Sequence, residues 1–370
     1  MKKTYAKRTL RAVAMILALW LVTACFGRDD RNYFAIRGFY LEPRNSLDVV
    51  FLGSSEVSAD VCSVYAYGQT GLTGYQYSID SNLPSLYLPQ LKEILSRQSP
   101  QAVVVEVNGF LIGSEKDLLK EPTLRVYLDA TRLSPRKTET LSRLPLEEDR
   151  ASYLFPFIKF HTMWEQTREW TNYLVSWPMI RFRGYSLFKG YLTKPVLLDA
   201  PDPFPLPGSG EKLDLCGDRV WEYLREFADY CAENRVPVVF ARFPHHLSSE
   251  REVKAYRRFL TVKEYLTERG FPCLDLQECQ EDLGIRREDY YNESHLNLAG
   301  QEKLTSRLME TLRSDFNVEP GNLSASERRH WDNCLENYRE LRELYERSIG
   351  GDERFIYEEI RHFLRVKGYI

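Results

Sequence analysis

The chain has 370 residues, of which 43% are hydrophobic and 28% charged, with a formal net charge of −3. This composition excludes a disordered chain and suits one large domain with insertions, or two domains. So small a charge offers no concentrated basic face, and nucleic acid is not expected as a partner.

Lys2, Lys3, Lys7, Arg8 and Arg11 form a basic leader, followed by an apolar run from Ala12 to Val22 and then Arg28-Asp29-Asp30. A basic segment ahead of such a run has the form of an export signal. The run is shorter than the ~20 residues that comfortably span a bilayer. Val22-Thr23-Ala24-Cys25 looks like a bacterial lipobox, which makes Cys25 the lipidation site. The alternative is an uncleaved signal anchor. Either reading makes residues 1–25 a signal or anchor and tethers the exported body to the outer face of the cytoplasmic membrane. Cys62, Cys216, Cys231, Cys273, Cys279 and Cys334 show no CxxC pair and no zinc-site spacing, so buried free thiols are expected.

Ser46 to Gly53 (SLDVVFLG) is a short apolar run ending in glycine, which fits a buried parallel strand. Leu83 to Arg97 has helical spacing and stops before Pro100; Ala102 to Val107 (AVVVEV) is a second buried strand. Strand, helix and strand in this order make a right-handed crossover. Residues 114–202 are rich in Arg, Glu, Tyr and Trp and read as a helical insertion. After the Pro/Gly-rich stretch Pro201 to Gly210 the pattern resumes: a helix over Asp218–Asn234, a strand over Pro237–Phe243, a helix over Ser249–Arg269, a strand over Pro272–Leu276 and a helix over Leu298–Phe316. The expectation is a flavodoxin-like three-layer α/β/α domain over residues 30–316. Residues 322–370 form a charged C-terminal helical extension, with Ser324 and Glu327 at capping-box spacing.

Gly53-Ser54-Ser55-Glu56 lies where the first strand ends, the edge at which open parallel sheets bind ligands. Ser55 there is a candidate nucleophile, although serines at such a turn also simply cap helices. A hydroxyl nucleophile needs a base within reach, and the base needs an orienting group. Asp289-Tyr290-Tyr291-Asn292-Glu293-Ser294-His295 supplies His295 as candidate base, just before the last framework helix.

Both segments resemble the SGNH/GDSL hydrolase superfamily, in which an early G-D-S block carries the nucleophile and a late D-x-x-H block the acid and base. Gly53-Ser54-Ser55-Glu56 is similar to the G-S-S-E form of the DltD proteins, which act in D-alanylation of teichoic acids, and the exported character is similar to that of polysaccharide O-acetylation proteins. Glu106-Val107-Asn108-Gly109 looks like the G-x-N-D block, which implies Asn108 as an oxyanion donor. Tyr75-Gln76-Tyr77-Ser78 looks like the segment with the block glycine, which implies the Ser78 N–H as another donor beside that of Ser55. The resemblance covers about residues 46–110 and 210–315. It implies a serine esterase or O-acyltransferase acting on an acylated glycan or small ester, without a cofactor, beside a membrane-bound O-acyltransferase. The departure is Asn292, which stands three residues before His295 where the family has Asp. Asn292 itself, Glu293 or Asp289 then orients His295; otherwise the chain is a weak or inactive SGNH-fold assembly or polysaccharide-binding factor. Arg242 and His161 are lower-ranked substrate-binding candidates. His245 and His246 fall in the same post-strand loop as Arg242, and their opposed directions argue against a shared metal.

Overall fold

The computed structural model describes residues 2–25, 31–146, 149–155, 157–160, 185–191, 194, 196–349, 359–360, 362–364 and 366–367. Five strands, β1 (Val49–Gly53), β2 (Gly74–Ser78), β3 (Ala102–Glu106), β4 (Val238–Arg242) and β5 (Cys273–Asp275), form one parallel sheet. Their order is β2-β1-β3-β4-β5, the flavodoxin-like arrangement with its switch point between β1 and β3.

Both faces of the sheet are buried. Val50, Leu52, Val103, Val105 and Phe240 point into one apolar layer, and Val49, Phe51, Val104, Val239 and Ala241 into the other. This alternation, apolar in both directions, is why the strands read as unbroken hydrophobic runs. On the first face lie helices Arg31–Phe39, Pro84–Leu95, Asp218–Asn234 and Glu250–Glu268; on the second lies Leu298–Phe316, through Leu304, Leu308 and Leu312. The fold is a three-layer α/β/α sandwich.

Two elements escape the periodicity reading. The strand β2 carries Tyr75, Gln76, Tyr77 and Ser78 rather than aliphatics. Its tyrosines meet Phe39 edge-on at 5.3 and 4.8 Å, and Gln76 donates from Nε2 to the Val61 carbonyl at 2.7 Å. Aromatic packing and the bonded Gln76 NH₂ hold the strand in place without an apolar signature. The second is the helix Arg31–Phe39, which covers that strand.

The insertion region contributes helices Glu121–Ala130, Pro135–Arg143, Arg150–Leu154 and Phe157–Phe160. Buried Arg125 lies 3.7 Å above the Tyr153 ring and donates to Ser152 Oγ at 2.6 Å, which ties two of these helices together. Ser324 and Glu327 close the reciprocal cap their spacing predicts, and the long helix Ala325–Ile349 follows. That helix buries Trp331, Tyr338, Leu341 and Tyr345 in the first apolar layer.

A buried charge junction fastens this tail. Lys189, fully buried and in the left-handed region at φ 54°, puts Nζ 2.9 Å from both Glu42 carboxylate oxygens. Its Nζ also lies 2.9 Å from His330 Nε2 and 4.3 Å above the Trp331 ring. Burial and Lys189 push His330 down to about 4, so its ring is neutral and accepts from the ammonium.

The leader forms a helix, Lys2–Cys25, and among the described residues no helix is long and apolar enough to cross a membrane. Cys62, Cys216, Cys231, Cys273, Cys279 and Cys334 are free thiols.

Gly190 has φ 86°, and a Cβ there would lie 2.3 Å from the Gln76 carbonyl oxygen in β2. Gly190→Ala is therefore expected to lose at least about 1 kcal/mol of stability, read from urea midpoints. An unchanged midpoint contradicts the seating of residues 185–191 against the sheet edge.

Candidate active site

The strand β1 ends at Gly53 for want of space. A Cβ there would fall 2.7 Å from Glu106 Cβ and Oε2 and 2.8 Å from Val57. The chain then turns into the short helix Ser55–Asp60. The two serines of the turn divide the possible roles between them. Ser54 Oγ accepts from the Glu56 N–H at 3.4 Å and caps the helix; Ser55 Oγ lies 2.8 Å from His295 Nε2.

His295 sits in the hairpin of β6 (Tyr290–Asn292) and β7 (His295–Leu296), where Asn292 pairs directly with His295. The three-residue spacing is thus a hairpin spacing, which places both side chains side by side on one face. Asn292 Oδ1 lies 2.9 Å from His295 Nδ1 and also accepts from the Ser294 N–H at 3.0 Å. The Ser294 N–H needs an acceptor, so it fixes which end of the amide faces the ring. Nδ1 therefore carries the proton, and Nε2 is left free to accept from Ser55. The Tyr291 ring stacks on the imidazole at 5.3 Å with an interplanar angle of 6°.

The other two candidates for orienting His295 point elsewhere. Glu293 accepts from Ser248 Oγ at 2.9 Å and Ser249 Oγ at 3.0 Å. Asp289 accepts from the Arg286 N–H at 2.8 Å and from Lys303 Nζ at 2.6 Å. Both carboxylates hold the hairpin to the framework, and Asn292 alone of the three reaches Nδ1.

Asn108 and Ser78 lie at the same edge of the sheet, after β3 and at the end of β2, where Ser78 is in register with Gly53. Glu106 joins this edge together. Its Oε2 accepts from the Ser54 N–H at 2.9 Å, and its Oε1 accepts from the Asn108 N–H. Burial and then the neighbouring Glu56 push its carboxyl up to about 8.

Arg242 departs from the substrate-binding expectation. It is fully buried, and Nη1 donates to Asn108 Oδ1 at 2.9 Å. His245 and His246 are buried rather than on a surface loop, and they diverge. His245 lies between Glu56 and Glu252, whereas His246 donates from Nε2 to the Pro201 carbonyl at 2.9 Å. His161 lies outside the described residues. Among the described residues no group of three or more His, Cys, Asp or Glu is placed to hold a metal ion. A concavity of about 490 Å³ lies elsewhere, lined by Tyr65, Gln69, Met309 and Arg313, and does not include Ser55 or His295.

Sequence reasoning passed over four acids, Glu56, Asp60, Glu106 and Glu252. Acids at positions that bury a whole turn or strand end, as in AVVVEV, were the available signal. Asp60 is fully buried and accepts from the Leu296 N–H at 2.7 Å, joining the serine's helix to the histidine's hairpin.

No family model matches this sequence, and no curated protein matches it either. Among solved structures it is similar to a provisionally named acylhydrolase of Bacteroides fragilis, with a TM-score of 0.37 and 10% identity, over 76% of this chain and 95% of that one.

Burial, reinforced by Glu56, pushes Asp60 well above the ordinary carboxylate range, against the lowering effect of the Leu296 N–H. An unfolded chain gives up the Asp60 and Glu106 protons near pH ~4, and the folded protein keeps them to higher pH. Their contribution to stability is thus full at low pH and lost as pH rises, through about 8 for Glu106. Asp60→Asn keeps an acceptor for Leu296 and cannot ionise. It is expected to flatten the fall in thermal midpoint between about pH 5 and pH 8. A variant whose midpoint falls as steeply as the parent's contradicts the upward shift of Asp60.

Proposed function

We propose that this chain is a serine-dependent esterase or O-acyltransferase of the SGNH type, acting outside the cytoplasm on acylated cell-envelope glycan. One observation carries the reading: the line from Ser55 Oγ to His295 Nε2 at 2.8 Å and from His295 Nδ1 to Asn292 Oδ1 at 2.9 Å. Nucleophile, base and orienting group stand in sequence, with the tautomer that catalysis needs.

In this mechanism Ser55 Oγ attacks the ester carbonyl as Nε2 takes its proton. The Ser55 and Ser78 N–H groups and the Asn108 amide receive the oxyanion. Collapse breaks the C–O bond, and His295 returns the proton to the departing alcohol. Water or a sugar hydroxyl, giving its proton to the same nitrogen, then attacks the acyl carbon; collapse breaks the bond to Ser55 Oγ, His295 returns the proton to Ser55, and the free acid or the acylated sugar leaves. The glycan substrate, the tether at Cys25 and a membrane-bound O-acyltransferase partner rest on the leader and on the resemblance to DltD-type proteins.

A second reading, an SGNH-fold assembly or polysaccharide-binding factor of little activity, is favoured by Asn292. Its amide orients His295 without a charge to stabilise the imidazolium, and in a serine protease the corresponding loss costs about 10⁴ in rate, mainly through the wrong tautomer. Here the tautomer is the productive one, so only the charge is missing.

Ser55→Ala is expected to abolish both hydrolysis of p-nitrophenyl acetate and labelling by a serine-directed phosphonate. A parent protein that neither turns over nor labels removes the enzyme reading. Asn292→Asp restores the charge and is expected to raise kcat at least about tenfold, with the acid limb of the pH profile moved upward; a slower variant contradicts the role given to Asn292. Cys25→Ser is expected to release the protein from the membrane fraction of cells, and unchanged retention favours an uncleaved anchor.

A further inference from the structure

Behind the serine turn lies a buried set of charges that the Ser55–His295–Asn292 line does not use. Arg242, at the end of β4, has Nη1 3.7 Å from Glu56 Oε2 and Nη2 3.9 Å from Glu252 Oε2. His245 completes the set. Its Nδ1 meets Glu252, and its Nε2 lies 2.9 Å from Glu56 Oε1, an ion-pair approach without the alignment of a hydrogen bond. Arg242 Nη2 stands 2.9 Å from the same Nδ1. Gln277 fixes the backbone of this histidine, accepting from its N–H at 2.6 Å and donating to its carbonyl at 3.0 Å.

A carboxylate stands against each ring nitrogen of His245. Burial and Arg242 oppose charge on its ring, and Glu56 and Glu252 outweigh them, raising its pKa. Arg242 and His245 thus face the same two carboxylates. Arg242 is fully buried, its approaches to Glu56 and Glu252 are ion pairs longer than a hydrogen bond, and its Nη1 donates to Asn108 Oδ1 at 2.9 Å.

The direction of that bond matters for the oxyanion. An asparagine amide turned through 180° looks the same in shape but exchanges donor for acceptor. Facing an oxyanion, Oδ1 repels where Nδ2–H attracts. Arg242 takes the oxygen end of Asn108, which leaves the NH₂ end for the site.

We infer that Arg242 and His245 are positioning residues for the oxyanion side of the serine site: Arg242 locks the Asn108 amide with its donor end free, and His245 clamps the Glu56 and Glu252 carboxylates that hold Arg242 in place. The inference rests on the serine reading above. Their effect on turnover passes entirely through Asn108.

A double-mutant cycle tests this. Arg242→Lys keeps the charge and loses the planar donor. It is expected to lower kcat on p-nitrophenyl acetate about 10²-fold with KM little changed, a loss of the size of one oxyanion donor. Asn108→Ala is expected to lose about 10²- to 10³-fold. The double variant is expected to match Asn108→Ala alone. Losses that multiply, or full kcat in Arg242→Lys, overturn the inference. Should Arg242→Lys fail to fold by thermal scan, Glu252→Gln goes through the same cycle with the same expectations. An arm independent of turnover uses protein with ¹⁵N-labelled asparagine. The Asn108 side-chain NH₂ pair is expected to be sharp in the parent and to shift or broaden in Arg242→Lys or Glu252→Gln; an unchanged pair overturns the inference. A parent protein lacking Ser55-dependent turnover defeats the serine reading instead, and the NH₂ signals still report whether Arg242 holds the amide.

Discussion

The geometry at the sheet edge depends on one buried carboxyl. Glu106 stands at the end of β3 and accepts the N–H groups of Ser54 and Asn108, the first belonging to the turn after β1 and the second to the turn after β3. Two backbone donors at strand ends would otherwise be left unpaired in a water-poor interior, at a cost of about 1–3 kcal/mol each. Gly53 is required by the same contact, since any side chain there would occupy the space of the carboxyl. The position of Ser55 follows from a packing constraint two residues earlier and an acid 51 residues later.

Much of this was legible in the sequence, for a physical reason. Parallel strands buried on both faces write themselves as aliphatic runs, so β1, β3 and β4 stand out, and the pairing of a serine turn with a late histidine follows from where such sheets bind ligands. β2 was invisible as a strand because its aromatic and amide side chains obey packing rather than periodicity. The choice among Asn292, Glu293 and Asp289 was equally closed to sequence. All three are within six residues of His295, and only the hairpin register, which sets Asn292 beside His295, decides among them.

That register also shows what Asn292 supplies to His295. Its amide orients the ring, because the Ser294 N–H turns its oxygen toward Nδ1. It brings no charge. The nearby acids do not make up the difference. Glu293 is committed to two serine hydroxyls and Asp289 to Lys303, while Asp60, whose carboxyl burial pushes well above the ordinary range, is committed to the Leu296 N–H.

The Lys189 junction carries a consequence for how the chain reaches this state. Glu42, Lys189 and Trp331 are separated by more than a hundred residues at each step, and they meet in a buried corner. Contacts of such separation form late, because loop closure must precede them. A chain synthesised from its N-terminus holds an incomplete corner until the helix Ala325–Ile349 exists. Until then Glu42 and Lys189 remain hydrated, and the apolar surface that Trp331 and Tyr338 will cover stays open to wrong partners. The helix Ala325–Ile349 is thus part of the domain's own apolar layer rather than an appendage to it.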